Sequence, residues 1–168
     1  EWAVRRAVEL AGGLNEVLSP GALVLIKPNL VAVPPTAESG ACTRASVCKA
    51  LADLVAELGC RPVIAESSGR GADTEEVMEA TGYTLLRQQG YEVVDLKKTK
   101  GVLVPVPGSH VLKEISTFEL AMQAHAIISV PVMKTHDQTE VTLSLKNLKG
   151  LVTDADKRRI HQLGVFEG

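Results

Sequence analysis

The chain has 168 residues, 45% of them apolar and 23% charged, with a formal net charge of -2, the ordinary balance of one domain with one core. Its 18 Lys and Arg against 20 Asp and Glu leave no global field to draw it to nucleic acid or an anionic membrane, and an aromatic content of 3% argues against base-stacking platforms. No apolar run approaches the roughly 20 residues that cross a bilayer and the start lacks the order of a signal peptide, so a cytoplasmic location is expected.

Residues 2 to 11 place Val4, Ala7, Val8 and Ala11 on one helical face, and Gly12-Gly13 ends that helix. "ALVLIKPN" (22 to 29) reads as a strand buried on both faces that stops at proline, with Lys27 and Asn29 at its tip. From Thr43 to Gly59 the apolar spacing is helical, with Thr43 or Ser46 as the cap. "RPVIAESSGRGAD" (61 to 73) is a short strand tipped by Glu66, then a glycine loop that opens a helix capped by Asp73. A short helix after Gly82 leads into the strand "YEVVDL" (91 to 96), whose end carries Asp95.

Two alternating runs around Pro107-Gly108-Ser109 make residues 101 to 116 an inserted β-hairpin. A helix over 117 to 124 and a buried strand over 125 to 132 follow, and a last helix carries "DADKRR" and His161. Alternating strands and helices predict an α/β fold: a mainly parallel, Rossmann-like sheet with helices on both faces in three layers. One domain over residues 1 to 168 is expected, and it opens inside a helical pattern and closes without a stop signal, as a fragment of a longer chain does.

In open parallel sheets, ligands bind where strands deliver their C-terminal ends. The polar tips here are Lys27 with Asn29, Glu66 with the loop after it, Asp95, and Lys134 with His136. Two ammonium groups and an imidazole at one edge favour an anion, which accepts charge-assisted hydrogen bonds from all three. His136, between Lys134 and Asp137, is a candidate for proton transfer, and a buried Lys134 or Lys146 is a candidate base. The "SSGRGAD" loop lacks the spacing of a phosphate-binding motif and reads better as a capped turn. His110 and His125 look structural or exposed, and the "DADKRR" helix reads as a solvated basic face. No spacing fixes a protein metal site, and Cys42, Cys48 and Cys60 contain no C-x-x-C pair, so buried reduced thiols are expected.

"IKPNL" (26 to 30), "VPVMKTH" (130 to 136) and "VTLSLKNLKGLV" (141 to 152) together resemble the family catalogued as domain of unknown function 362. The resemblance covers nearly the whole chain and points to Lys27, Pro28, Asn29, Lys134, His136, Thr142, Lys146, Asn147, Gly150 and His161. Many members are described as iron–sulfur proteins with ferredoxin-like cysteine motifs, which this sequence lacks. The resemblance therefore implies no cofactor within this chain, a 4Fe-4S cluster elsewhere in the full-length protein, and a ferredoxin-like domain or redox partner.

Two readings of function stand at this point. In the first, an enzyme domain holds a small anionic ligand, with Lys27, Lys134 and Lys146 neutralising it, Asn29, Asn147 and Glu66 completing the site, and His136 and Lys134 as catalytic groups. In the second, the same residues form a non-catalytic ligand-binding or electron-transfer partner module.

Overall fold

A computed structural model describes residues 1–36, 39–136 and 140–163. Helix α1 (Trp2–Leu10) precedes β1 (Leu23–Pro28), α2 (Ala45–Glu57) leads to β2 (Arg61–Glu66), and α3 (Thr74–Ala80) with α4 (Tyr83–Gln88) leads to β3 (Val93–Asp95). The antiparallel pair β4 (Gly101–Pro105) and β5 (Glu114–Phe118) follows, then α5 (Glu119–Gln123) and β6 (Ala126–Val130). A small hairpin of β7 (Lys134–His136) and β8 (Glu140–Thr142) comes next, then α6 (Ser144–Asn147), a 3₁₀ segment (Leu148–Leu151) and α7 (Asp154–Leu163).

Four parallel strands form the central sheet in the order β3-β2-β1-β6. The chain builds outward from β1 through β2 to β3, then returns to the other side of β1, so the order reverses between β1 and β6. That reversal leaves a crevice beyond the C-terminal ends of the two strands, because the connections on either side depart in opposite directions.

Side chains alternate across the sheet, and each face has its own core. Val24, Ile26, Ile64 and Val93 meet Leu51 and Val55 of α2, Val77 and Met78 of α3, and Tyr83 and Leu86 of α4. Leu25, Val63 and Ala65 on the opposite face are covered by Phe118, Ala121 and Leu151, a thinner layer made from the end of β5, α5 and the 3₁₀ segment. Lys27 follows Leu25 by two residues and shares this second face.

The hairpin expected near 101–116 is present, with Gly101 opposite Phe118 and Pro105 opposite Glu114. Its second strand runs two residues past the expected end because Phe118 stays extended to reach the core, so the following helix starts at Glu119 rather than 117. The strand expected over 91–96 is confined to Val93–Asp95.

The cap expected of Thr43 or Ser46 does not form. Arg44 is the N-cap of α2, with no side-chain cap hydrogen bond. The Thr43 hydroxyl instead accepts from the Asn29 amide at 2.8 Å and donates to the Val130 carbonyl at 2.7 Å. It thereby ties the chain leaving β1 to the end of β6, the two edges of the crevice.

Candidate functional site

Lys27 lies at the C-terminal end of β1 with its side chain fully buried. Its ammonium donates to Glu66 Oε2 at 2.6 Å, to the Pro28 carbonyl at 2.7 Å and to Asn147 Oδ1 at 3.2 Å, which uses all three of its N–H bonds. Glu66, from the end of β2, also accepts from the amides of Leu30 and Ser67. Burial pushes the Glu66 carboxyl up and the Lys27 ammonium down, and in each case the partner's charge opposes the shift.

Asn147 joins the two strands at the reversal point: its amide donates to the Lys27 carbonyl at 3.1 Å and to Ser129 Oγ of β6 at 3.0 Å. Gly150 closes over the ion pair. A Cβ there would lie 2.2 Å from Glu66 Oε1 and 2.6 Å from Lys27 Nζ, so any side chain at this position collides with the pair. The spacing of Lys-Asn-x-x-Gly has a physical reason: Asn147 hydrogen-bonds Lys27 and, one turn on, glycine lets the backbone approach it.

The loop after β2 is a capped turn. Its amides are engaged inside the protein: Ser67 N with Glu66, Ser68 N with Thr74 Oγ1, Gly69 N with the Val31 carbonyl, while Asp73 caps α3. Its carbonyls face two lysines. Lys157 donates to the carbonyls of Ser67 and Ser68, both at 2.8 Å, and Lys97 to those of Ala72 at 2.8 Å and Gly69 at 3.2 Å. Asp154 pairs with both cations, at 3.2 Å and 3.1 Å.

Around these fixed groups lies a cavity of about 410 Å³. It is lined by Lys27, Asn29, Glu66, Lys134, His136, Lys146 and Asn147, the residues given catalytic or ligand-binding roles from the sequence. Lys134 enters from β7, donating to Asn29 Oδ1 at 2.8 Å and to the Ala41 carbonyl at 2.6 Å, and burial lowers its pKa. Thr142 faces the same space, almost fully buried, and its hydroxyl has no hydrogen-bond partner among the described residues. Asp95 does not join the site: it caps the short turn that follows β3. Asp137 lies outside the described residues.

The site also contains cations that sequence reasoning did not assign to it. Arg70, Lys149 and Lys157 line the cavity together with His161. The reading of the "DADKRR" helix as a solvated face is corrected at Lys157, which is 4% exposed. Its signal was the helical spacing of Asp154, Lys157 and His161, three and then four residues apart, which puts them on one face of α7. Lys149 Nζ stands 2.6 Å from His161 Nε2. Burial, aided by the charges of Lys146, Lys157 and Arg70, pulls the Lys149 ammonium down to about 8. Burial and the charges of Lys149, Lys146, Arg70 and His136 likewise lower His161.

All three cysteines are free thiols, each held by its own partner. Cys48 is buried against the Tyr83 hydroxyl with its thiol pushed up to about 12, and Cys42 and Cys60 donate to the carbonyls of Ala32 and Ser19. Cluster ligation needs converging thiolates. Among the described residues no group of three His, Cys, Asp or Glu is arranged to hold a metal ion. His125 Nδ1 accepts from the Leu23 amide and His110 is exposed, so neither reaches the cavity.

A family model described as Domain of unknown function (DUF362) matches residues 24–166. The chain belongs to this family. DUF362 membership covers the central sheet, the cavity and the Lys-Asn-x-x-Gly segment together. A curated relative, a thylakoid-associated protein of Synechocystis sp., is 30% identical over 151 residues, which make up 89% of this chain and 45% of that protein. The DUF362 chain described here thus spans less than half the length of that relative. No solved structure matches it at a significant level. Among the described residues no helix is long and apolar enough to cross a membrane.

Proposed function

We propose that this DUF362 domain binds a small anionic ligand at the C-terminal ends of its parallel strands, as an enzyme domain working with an iron–sulfur module elsewhere in the full-length protein. One observation carries the reading. Lys134, Lys149 and Arg70 line the cavity without an ion pair among the described residues, and the one lining carboxylate there, Glu66, has both oxygens engaged by the protein. An oxyanion in that space receives charge-assisted hydrogen bonds from these cations, of which Lys134 is already oriented by Asn29 and the Ala41 carbonyl.

On this reading Lys134 and Lys146 neutralise the ligand, Asn29 and Asn147 orient the groups around it, and His136 transfers a proton. Lys27 and Glu66 act as the frame, since their hydrogen bonds are already made inside the protein. No step runs through a cluster on this chain. The protein is cytoplasmic on this reading, a compartment in which thiols such as Cys42, Cys48 and Cys60 stay reduced, and neither nucleic acid nor membrane is a partner. The second reading is a non-catalytic module that binds its ligand or passes electrons at a partner surface.

A thermal-shift titration with phosphates and small carboxylates tests the anion site: stabilisation should rise with concentration and disappear in Lys134→Ala. A variant as responsive as the parent overturns the role of Lys134. His136→Ala separates the two readings once a ligand is in hand, because an enzyme loses turnover with affinity kept within a few fold, whereas a binding module changes in affinity alone.

A further inference from the structure

The two outer strands of the central sheet are built differently. β3 is three residues long and ends at Asp95, which caps the turn after it, so little of its backbone is open to a further strand. β6 (Ala126–Val130) holds no charge and no proline, and among the described residues it pairs with β1 alone. The His125 amide donates to the Leu23 carbonyl of β1 at 2.9 Å. Alternate residues of a parallel ladder turn to opposite neighbours, so Ile127 and Ser129 bond towards β1, while Ala126 and Ile128 turn their amides to the outer edge. An uncharged aliphatic run of this kind belongs to strands buried on both faces, yet Ile127, on the same face as Lys27, is 41% exposed.

The wall of the cavity beside β6 has an apolar back. Lys134 and Thr142 stand opposite each other in the β7–β8 hairpin and both line the cavity, so Met133 and Leu143, one residue further along each strand, turn away from it. On the next segment Lys146, Asn147, Lys149 and Gly150 line the cavity, and Leu145 and Leu148 do not. Met133 is 78% exposed and Leu145 87%. Because α6 packs on β6, with Asn147 bonded to Ser129, this back lies next to the open strand.

We infer that β6 is an interior strand of the full-length protein: a further strand from the remainder of that polypeptide pairs with its outer edge, and the layer packed on it covers Ile127 and the apolar back of the cavity wall. The order β3-β2-β1-β6 is that of the first four strands of a doubly wound sheet, in which the strands after the reversal are added beyond the fourth. The family has the length for it, since the Synechocystis relative keeps more than half of its own chain outside the match. A second copy of this chain is the poorer occupant, because two β6 edges related by a two-fold axis pair antiparallel in a sheet that is otherwise parallel. The inference holds whatever ligand the cavity takes.

A photo-crosslinking amino acid in place of Ile127 in the full-length protein is the direct test. It should join position 127 to a peptide of the same polypeptide outside residues 1–168. A covalent dimer, crosslinks confined to residues 1–168, or no crosslink at all overturns the inference. Amide exchange resolved to single residues in the unsubstituted full-length protein should find Ala126 and Ile128 at least about a hundredfold slower than an open chain, and exchange at the open-chain rate overturns the pairing. Leu145 reports on the covering layer, because it touches little in the domain itself. Leu145→Gln should lower the Tm of the full-length protein by about 5 °C, whereas Leu85→Gln, at an exposed position of α4, should leave it within about 1 °C. Equally small shifts in the two variants show that nothing covers the wall and overturn that part of the inference.

Discussion

On the β1 side of the crevice, Lys27 and Glu66 are buried together with their donors and acceptors matched by the Pro28 carbonyl, Asn147 and two backbone amides. On the α7 side, Lys149 Nζ and His161 Nε2 share one short contact, and the charges of Lys146 and Arg70 lower the pKa of both. Both sides hold lysines whose pKa is lowered by burial, yet the chemistry differs. Lys27 has spent its three N–H bonds inside the protein and has none left to offer. Lys149 makes one short side-chain contact, to His161, and on the anion-binding reading its remaining N–H bonds would serve an incoming ligand. A lowered lysine pKa therefore marks structure in one place and a candidate for binding in the other, and the list of hydrogen-bond partners tells them apart.

The largest effect should come from breaking the matched side. Lys27→Met leaves Glu66 buried without its cation and should cost about 3–5 kcal/mol in urea denaturation, whereas replacing Glu66 by Leu in the same chain should return much of the loss. Gly150→Ala should cost about 1–3 kcal/mol by driving a methyl group into that same pair. If the alanine variant is as stable as the parent, the backbone at this point is not held against Glu66. The smallest effect belongs to the unmatched side. Lys149 binds its proton less well when folded, so its cost to folding is complete below about pH 8 and vanishes as pH rises towards 10.5. Denaturant midpoints across that interval should rise with pH, and Lys149→Met should flatten the rise by one lysine's share.

Much of this arrangement is readable from the amino acids alone. "ALVLIKPN" declares a strand buried on both faces and ending in a cation, and "RPVIAE" does the same with an acid, so the meeting of Lys27 and Glu66 follows once two neighbouring parallel strands are aligned. Lys134 and His136 were legible for the same reason, as the polar continuation of an apolar run. What the sequence concealed was compensation. A lysine that ends a buried strand looks the same whether its protons are spent or available, and the difference for Lys27 depends on Asn147, 120 positions away. Lys157 was hidden because the residues that α7 buries, Asp156 and Lys157, are charged, so hydrophobicity does not reveal which side faces inward. Thr43 misled in the opposite sense, since a hydroxyl before a helix has local work as a cap, and here a bridge between β1 and β6 takes precedence.

Asn147 grips Lys27 and Ser129 at once, and Lys157 reaches back to Ser67 over an interval of 90 residues. Contacts of such sequence separation close late, because the loop entropy must be overcome before they return any stabilisation. A nascent chain emerging from its N-terminal end therefore carries Lys27 and Glu66 long before the segments that complete their surroundings have been made. The pocket is walled by Lys146 and Asn147 of α6 and by Lys157 and His161 of α7, so any agent that holds those helices away dismantles it.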